Sequence, residues 1–376
     1  MKIIYCYAGD KIYKKFFKKC RELGYEVLPI DMSEETGICR ATALDELTRI
    51  HNTNKKLVDH YNKIRELSAD YDILIVDNYC VYTPDFIKTL KKDIYTVIYS
   101  GDDPESSNKC SRPYVHAFDH AFSYGVYFDN ESKVTDKFKE WGAKRVNWWP
   151  YGVTEDRYDH SLTEDDIYNK NRDIDLAYVG VAWTKLGRLA KIKKAFPQMR
   201  LYGRDWNLKT ILKSPLSHLK MYHRLSPEIF SGVLDALLLR LWNVKEIPTE
   251  GLVPLYQRCK IGINMHLSFG PSNSRLYELP ANGVMQICDC SKGLGDVFEI
   301  DKEVVAYNST EEAIEIIKYY LEHDDERKRI AAAGFKRTME DYKRIIIFSK
   351  ALEEIKKSML EEGITHFKDG TPIKGD

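Results

Sequence analysis

At 376 residues the chain is longer than one compact core usually fills, so two domains of ordinary size are expected. Lys plus Arg and Asp plus Glu both total 57, which excludes a global charge that would make nucleic acid or an anionic membrane an obligatory partner, though local basic patches stay open. With 43% hydrophobic and 30% charged residues the composition is globular. No run reaches the roughly 20 apolar residues of a membrane span. The opening run Met1 to Tyr7 is too short for a secretory leader, so a cytoplasmic location is expected. The cysteines contain no Cys-x-x-Cys pair and read as reduced core thiols rather than a zinc site.

In chain order, the first half alternates short apolar strands with amphipathic helices. Strands are predicted at 2–7, 25–30, 72–77, 94–100, 120–124 and 145–149, and helical spacing runs through 11–23 and 54–67. Such alternation implies a parallel sheet covered by helices on both faces. Gly24 stands where a left-handed helix cap is expected. Residues 1–153 therefore read as a first Rossmann-like domain. The polar stretch 154–172 reads as an interdomain linker.

A second alternation follows, with strands predicted at 174–179, 199–202, 261–265, 284–288 and 303–306, so residues 173–343 read as a second Rossmann-like domain. Between them, 227–242 has the pattern of an amphipathic helix, either core packing or an insertion. From Thr310 onward the chain is almost wholly helical. The tail 344–376 is long enough to pack back on the first domain.

The segment from Gly270 to Gly283 carries the most chemistry. Ser272, Asn273 and Ser274 are all capping residues, so a helix is expected to begin near Ser274 with free N–H groups at its start. Such a start suits a diphosphate, with Arg275 adding charge. Glu278, one turn on, is placed to accept the hydroxyls of a ribose; the alternative is an ordinary Arg–Glu surface pair. Gly283 reads as the residue that ends the helix.

The run from Asn273 to Gly283, followed by 293–298, Glu303 to Tyr307, 311–321 and 327–334, resembles the C-terminal domain of CgeB-like glycosyltransferases. Tyr178, Val179 and Gly180, then Arg188, then Leu201 to Gly203 are similar to that family's first C-domain strands, and Ser100 to Pro104 to its acidic-Pro loop. The resemblance implies an α/β fold of the GT-B type, two Rossmann-like domains with parallel sheets facing a cleft. It also implies that the C-domain binds a nucleoside-diphosphate sugar, expected as a UDP-sugar, as co-substrate and with no resident cofactor. Donor contacts are expected from Gly180, Arg188, His266, Asn273, Ser274, Arg275 and Glu278. Leu279 and Pro280 depart from the family pattern, and Pro280 should shorten or bend the helix.

The loop from Ser100 to Pro104 follows a strand at a carboxyl end, where such sheets place ligand sites, so Asp102 or Asp103 is a candidate base on the acceptor; a plain polar turn is the alternative. His116 and His120 are further candidates for that base. Asp173 and Asp175 form an Asp-x-Asp pair at a strand start, and no metal is assigned there, since basic residues and a helix start suffice for the leaving group. The aromatic cluster Trp148 to Tyr151 reads as hinge packing or a sugar-stacking surface. The acceptor is not specified; glycan, protein, small molecule and nucleic acid all fit. A nucleotide-sugar epimerase and a noncatalytic coat or assembly protein are the alternative functions.

Overall fold

The computed structural model describes residues 1–8, 13–38, 44–77, 81–100, 112, 114–127, 131–181, 185–222, 227–266, 271, 273–289 and 292–374. The chain divides into two compact units. One comprises Met1–Glu155 with the C-terminal segment from Asp341, and the other comprises Asp156–Leu267 with Asn273–Glu340.

The first unit holds strands β1 (Lys2–Tyr7), β2 (Glu26–Asp31), β3 (Ile73–Asp77), β4 (Tyr95–Ser100), β5 (His120–Ser123) and β6 (Val146–Trp148), paired in the order β2-β1-β3-β4-β5-β6. Every pairing is parallel. All residues of β3 and β4 are buried, as expected for strands covered on both faces, and this is why they read in the sequence as unbroken apolar runs. The Lys55–Ser68 helix starts where Asn54 accepts a hydrogen bond from the Leu57 N–H, and Gly24, at φ +82°, takes the left-handed turn after the Tyr13–Glu22 helix.

The Arg344–Glu361 helix belongs to this unit, and one cation fastens it. Arg344 is 1% exposed and lies 3.6 Å from the Asp77 carboxylate. It donates to the Tyr5 hydroxyl and the Tyr151 carbonyl, and its guanidinium sits over the rings of Phe16, Tyr99 and Tyr151. Phe348 of the same helix packs edge-on against Phe16. Trp149 is buried beside Tyr99 and Phe348, so this ring of the aromatic cluster is core packing within the unit.

The second unit holds β7 (Ile174–Val179), β8 (Arg200–Tyr202), β9 (Cys259–Asn264), β10 (Met285–Asp289) and β11 (Val305–Tyr307), in the order β11-β10-β9-β7-β8, again all parallel. The direction of winding reverses between β7 and β9. In sheets of this kind the crevice outside the carboxyl ends at such a reversal is where ligands bind.

Of the stretch expected as a linker, residues 156–172 are folded into this second unit. A capping box between Thr163 and Asp166 starts a helix at Glu164, and Tyr158, Leu162 and Ile167 are buried. Arg172, buried, donates to the carbonyls of Tyr256, Cys259 and Asn282, satisfying three main-chain acceptors. The apolar residues of this stretch are too few to show a period, so its packing was not legible as a pattern.

Candidate functional site

Within the second unit, the residues following β7, β9 and β10 meet at the reversal point. Gly180 follows β7, and its carbonyl accepts from the Trp206 indole at 2.7 Å. A Cβ on Gly203 would stand 2.0 Å from that same carbonyl oxygen, and one on Gly180 would stand 2.8 Å from the Tyr178 hydroxyl and 3.0 Å from Arg275 Nη1. Two glycines are therefore required here so that the strand ends and a guanidinium can share the space.

Arg275 opens the Arg275–Ala281 helix and lies over the Tyr178 ring, 4.7 Å from its centroid. Its Nη1 is shielded from solvent and has no hydrogen-bond partner among the described residues. Asn273 holds this helix start: its Oδ1 accepts from the Leu276 N–H, and its Nδ2 donates to Asn264 Oδ1 at 2.8 Å. The Asn273 amide is thus occupied as a cap and an anchor to β9. Ser274 makes no side-chain cap bond. Ser272 lies outside the described residues.

Glu278 is buried and pairs with Arg157, 3.9 Å away, while no ion pair joins it to Arg275. The surface-pair reading is therefore not what the fold uses. Burial pushes the Glu278 carboxyl up from its ordinary value, against the pull of Arg157 and Arg275. Gly283, at φ +66°, turns the chain out of the helix, and the helix keeps only seven residues with Pro280 inside it.

His266 follows β9 and is buried. Its main-chain N–H and its Nδ1 both meet the Asp289 carboxylate at the end of β10, at 2.9 Å and 2.8 Å, and Arg188 Nη1 stands 3.6 Å from the same carboxylate. His266 Nε2 has no hydrogen-bond partner among the described residues. Burial alone would raise the Asp289 pKa, yet the bond with His266 and the Arg188 charge hold it below the ordinary carboxylate value. Cys288 Sγ lies 3.7 Å from His266 Nδ1.

Lys185 was missed in the sequence. It is 3% exposed and donates from Nζ to the Met265 carbonyl at 2.6 Å, linking the segment after β7 to the end of β9. Burial first, then the neighbouring Arg275, lowers it to about 6, with Arg188 acting the same way and Asp289 opposing. The available signal was its place five residues after Gly180, at the start of the Leu186–Ala195 helix. Asp289 and Arg157 were also missed; nothing in their local sequence marks them.

Among the other candidates, Asp102 and Asp103 lie outside the described residues. His116 is exposed on the Val115–Ala117 turn, before β5 and so at the amino edge of its sheet, and burial with the charges of Lys88 and Lys91 lowers its pKa. His120 is buried in β5, bonded to Asn147 and Ser358, and pushed down to about 4 by burial. Both are thereby kept from the carboxyl edge, where parallel strands present ligand groups. Asp173 and Asp175 pair with Arg258 and Lys260 at the amino end of β7.

Residues 169–345 match the family described as Glycosyl transferase-like. The second unit thus carries a glycosyltransferase-like domain, and the chain has the GT-B fold. Its fold is similar to HepE of Anabaena, solved in complex with UDP-glucose, with TM-score 0.59 and 13% identity over 95% of this chain and 100% of that one. Sucrose-phosphate synthase from Thermosynechococcus elongatus is similar with TM-score 0.61 and 10% identity, covering 96% and 100%. A structure described as a putative UDP-N-acetylglucosamine 2-epimerase, from Listeria monocytogenes, is similar with TM-score 0.54 and 11% identity, covering 99% of each chain. No curated protein matches the sequence. No described helix is long and apolar enough to cross a membrane.

Proposed function

We propose that the protein transfers a sugar from a UDP-sugar to an acceptor nucleophile, with the donor held at the β7–β9 reversal of the second unit. The observation that carries this is the convergence there of Lys185, Arg188 and Arg275, with Arg275 Nη1 shielded from solvent and without a partner among the described residues. A guanidinium nitrogen shielded from solvent without an acceptor is costly, and a diphosphate oxygen is the group that would satisfy it. The UDP and UDP-glucose bound by the Anabaena relative support the choice of base.

In this reading the acceptor oxygen attacks the anomeric carbon, the bond from that carbon to the diphosphate oxygen breaks, and UDP leaves with the electron pair. The acceptor proton passes to a base, for which Asp102 or Asp103 stays our candidate. Arg275 and Lys185 take up the charge that grows on the leaving oxygens. Glu278 accepts the ribose hydroxyls, and Gly180 leaves room for the diphosphate beside Arg275. His266, its Nδ1 engaged by Asp289, offers Nε2 to the donor. The run Asn273 to Gly283 supports a place in the CgeB-like branch, and the buried free thiols Cys6, Cys20, Cys259 and Cys288 suit a reducing cytoplasm.

The test is calorimetric titration with UDP, GDP, ADP and TDP, followed by the sugars of whichever base binds. We expect UDP to bind and Arg275→Ala to abolish binding. Equal affinity for no nucleotide, or full affinity in Arg275→Ala and Glu278→Gln, rejects the site. Conversion of the UDP-sugar to its epimer without any acceptor would establish the epimerase instead.

A further inference from the structure

The second unit carries an apolar surface that its own core does not use. On the Leu208–Tyr222 helix, Leu208, Leu212 and Leu216 are 47%, 54% and 61% exposed; on the Pro227–Leu238 helix, packed beside it, Phe230, Leu234 and Leu238 are 55%, 59% and 71% exposed. Both sets repeat every four residues, so each forms a stripe along one side of its helix. The opposite sides are committed. Ile211 and Ser214 are buried, and so is Ala236. A Cβ on Gly232 would fall 2.2 Å from the Gly187 Cα, so the second helix meets the Leu186–Ala195 helix at backbone contact on that side. The outward stripes are therefore not a face that a small shift of either helix would bury.

The charge on the first of these helices has one sign: Leu208–Tyr222 contains Lys209, Lys213 and Lys220 and no acidic residue, while the Pro227–Leu238 helix carries Glu228 and Asp235. Lys209 and Lys213 are exposed and follow Leu208 and Leu212 by one position, about 100° around the helix. Asp235 of the neighbouring helix is occupied by Lys194 at 3.1 Å. Leucines flanked by lysines on the outer face of a helix are the arrangement that lies flat in a lipid headgroup layer, the apolar stripe immersed and the lysine stems reaching back to the phosphates.

We propose that this helix pair is a docking surface for an anionic lipid bilayer. It would hold the protein at a membrane without spanning it. The inference does not depend on the assignment of the donor site.

The experiment is co-sedimentation of the full chain with vesicles of phosphatidylcholine alone or mixed with phosphatidylglycerol. Two variants are compared, Lys209→Gln with Lys213→Gln, and Leu212→Ser with Leu216→Ser and Leu234→Ser. All five positions are exposed, so thermal melting should be unchanged, which separates lost docking from lost folding. The wild type is expected to bind the anionic vesicles, and more weakly as salt is raised. The lysine variant should bind about 30-fold more weakly, at about fivefold per lysine. The leucine variant should lose about tenfold or more per buried leucine. Absence of wild-type binding to anionic vesicles, or binding that neither variant weakens, overturns the proposal. So does a dimer in light scattering that the leucine variant dissociates, because a second copy would then cover the face.

Discussion

Lys185→Met is expected to make the empty protein more stable and a poorer binder of UDP. An unfolded lysine titrates near 10.5, whereas burial and the nearby guanidinium of Arg275 bring Lys185 to about 6 in the folded chain. Between those values the unfolded state holds a proton that the folded state lacks. Stability therefore rises with pH across the window, and the loss is largest below pH 6. At pH 7 the cost amounts to roughly 5 kcal/mol, from 3.5 pH intervals at about 1.36 kcal/mol each. Methionine keeps most of the stem and removes the charge, but leaves the Met265 carbonyl without its donor, which returns about 1–3 kcal/mol. A net gain of about 2–4 kcal/mol corresponds to a melting temperature on the order of 5–10 °C higher for a unit of this size. The gain should shrink as the melt is repeated toward pH 10.

Binding supplies the second readout. With a value of about 6, Lys185 is roughly one-tenth protonated at pH 7, and a diphosphate beside it favours the charged form. UDP should therefore take up close to one proton on binding, seen as a calorimetric heat that varies with the ionisation enthalpy of the buffer. Lys185→Met should bind more weakly with no such uptake. A melting temperature that falls at pH 7, or the same proton uptake in the variant, would refute the argument.

Three further outcomes follow from the packing. Arg344→Ala leaves Asp77 buried without its cation and should destabilise the first unit by about 3–5 kcal/mol in a denaturant melt, with UDP affinity of the remaining folded protein unchanged. Gly203→Ala puts a methyl 2.0 Å from the Gly180 carbonyl oxygen; it should cost about 1–3 kcal/mol and also weaken UDP binding, because Gly180 carries Arg275 on its other side. His120, held down to about 4, stays neutral while an unfolded histidine charges below about pH 6.5. Stability should then fall by up to about 3 kcal/mol as pH drops from 6.5 to 4, and His120→Gln should flatten that part of the stability profile measured by urea melts.

Much of the candidate site was legible because its signals are local. Asn273, Arg275, Glu278 and Gly283 occupy one short helix and its ends, where capping and one-turn spacing can be read directly. The sequence could not say that Asn273 spends its amide on Asn264, or that Glu278 takes Arg157 as its partner, since those contacts join residues far apart in the chain. Asp289 was invisible for the same reason, and Lys185 offered only its position after Gly180. A lysine near a helix start is ordinary until the end of β9 closes over it.

The sequence by itself determined the alternation of strand and helix, because period and buried apolar runs are properties of neighbouring residues. It also located most strands and the glycines that end helices. Only the tertiary structure decided that residues 156–172 fold into the second unit, that the Arg344–Glu361 helix belongs with the first, and that six leucine and phenylalanine side chains of two amphipathic helices face outward. A helical period states that an apolar stripe exists. What covers the stripe depends on which other elements reach it, and close contact at Gly187 and Gly232 settled that for one of these helices.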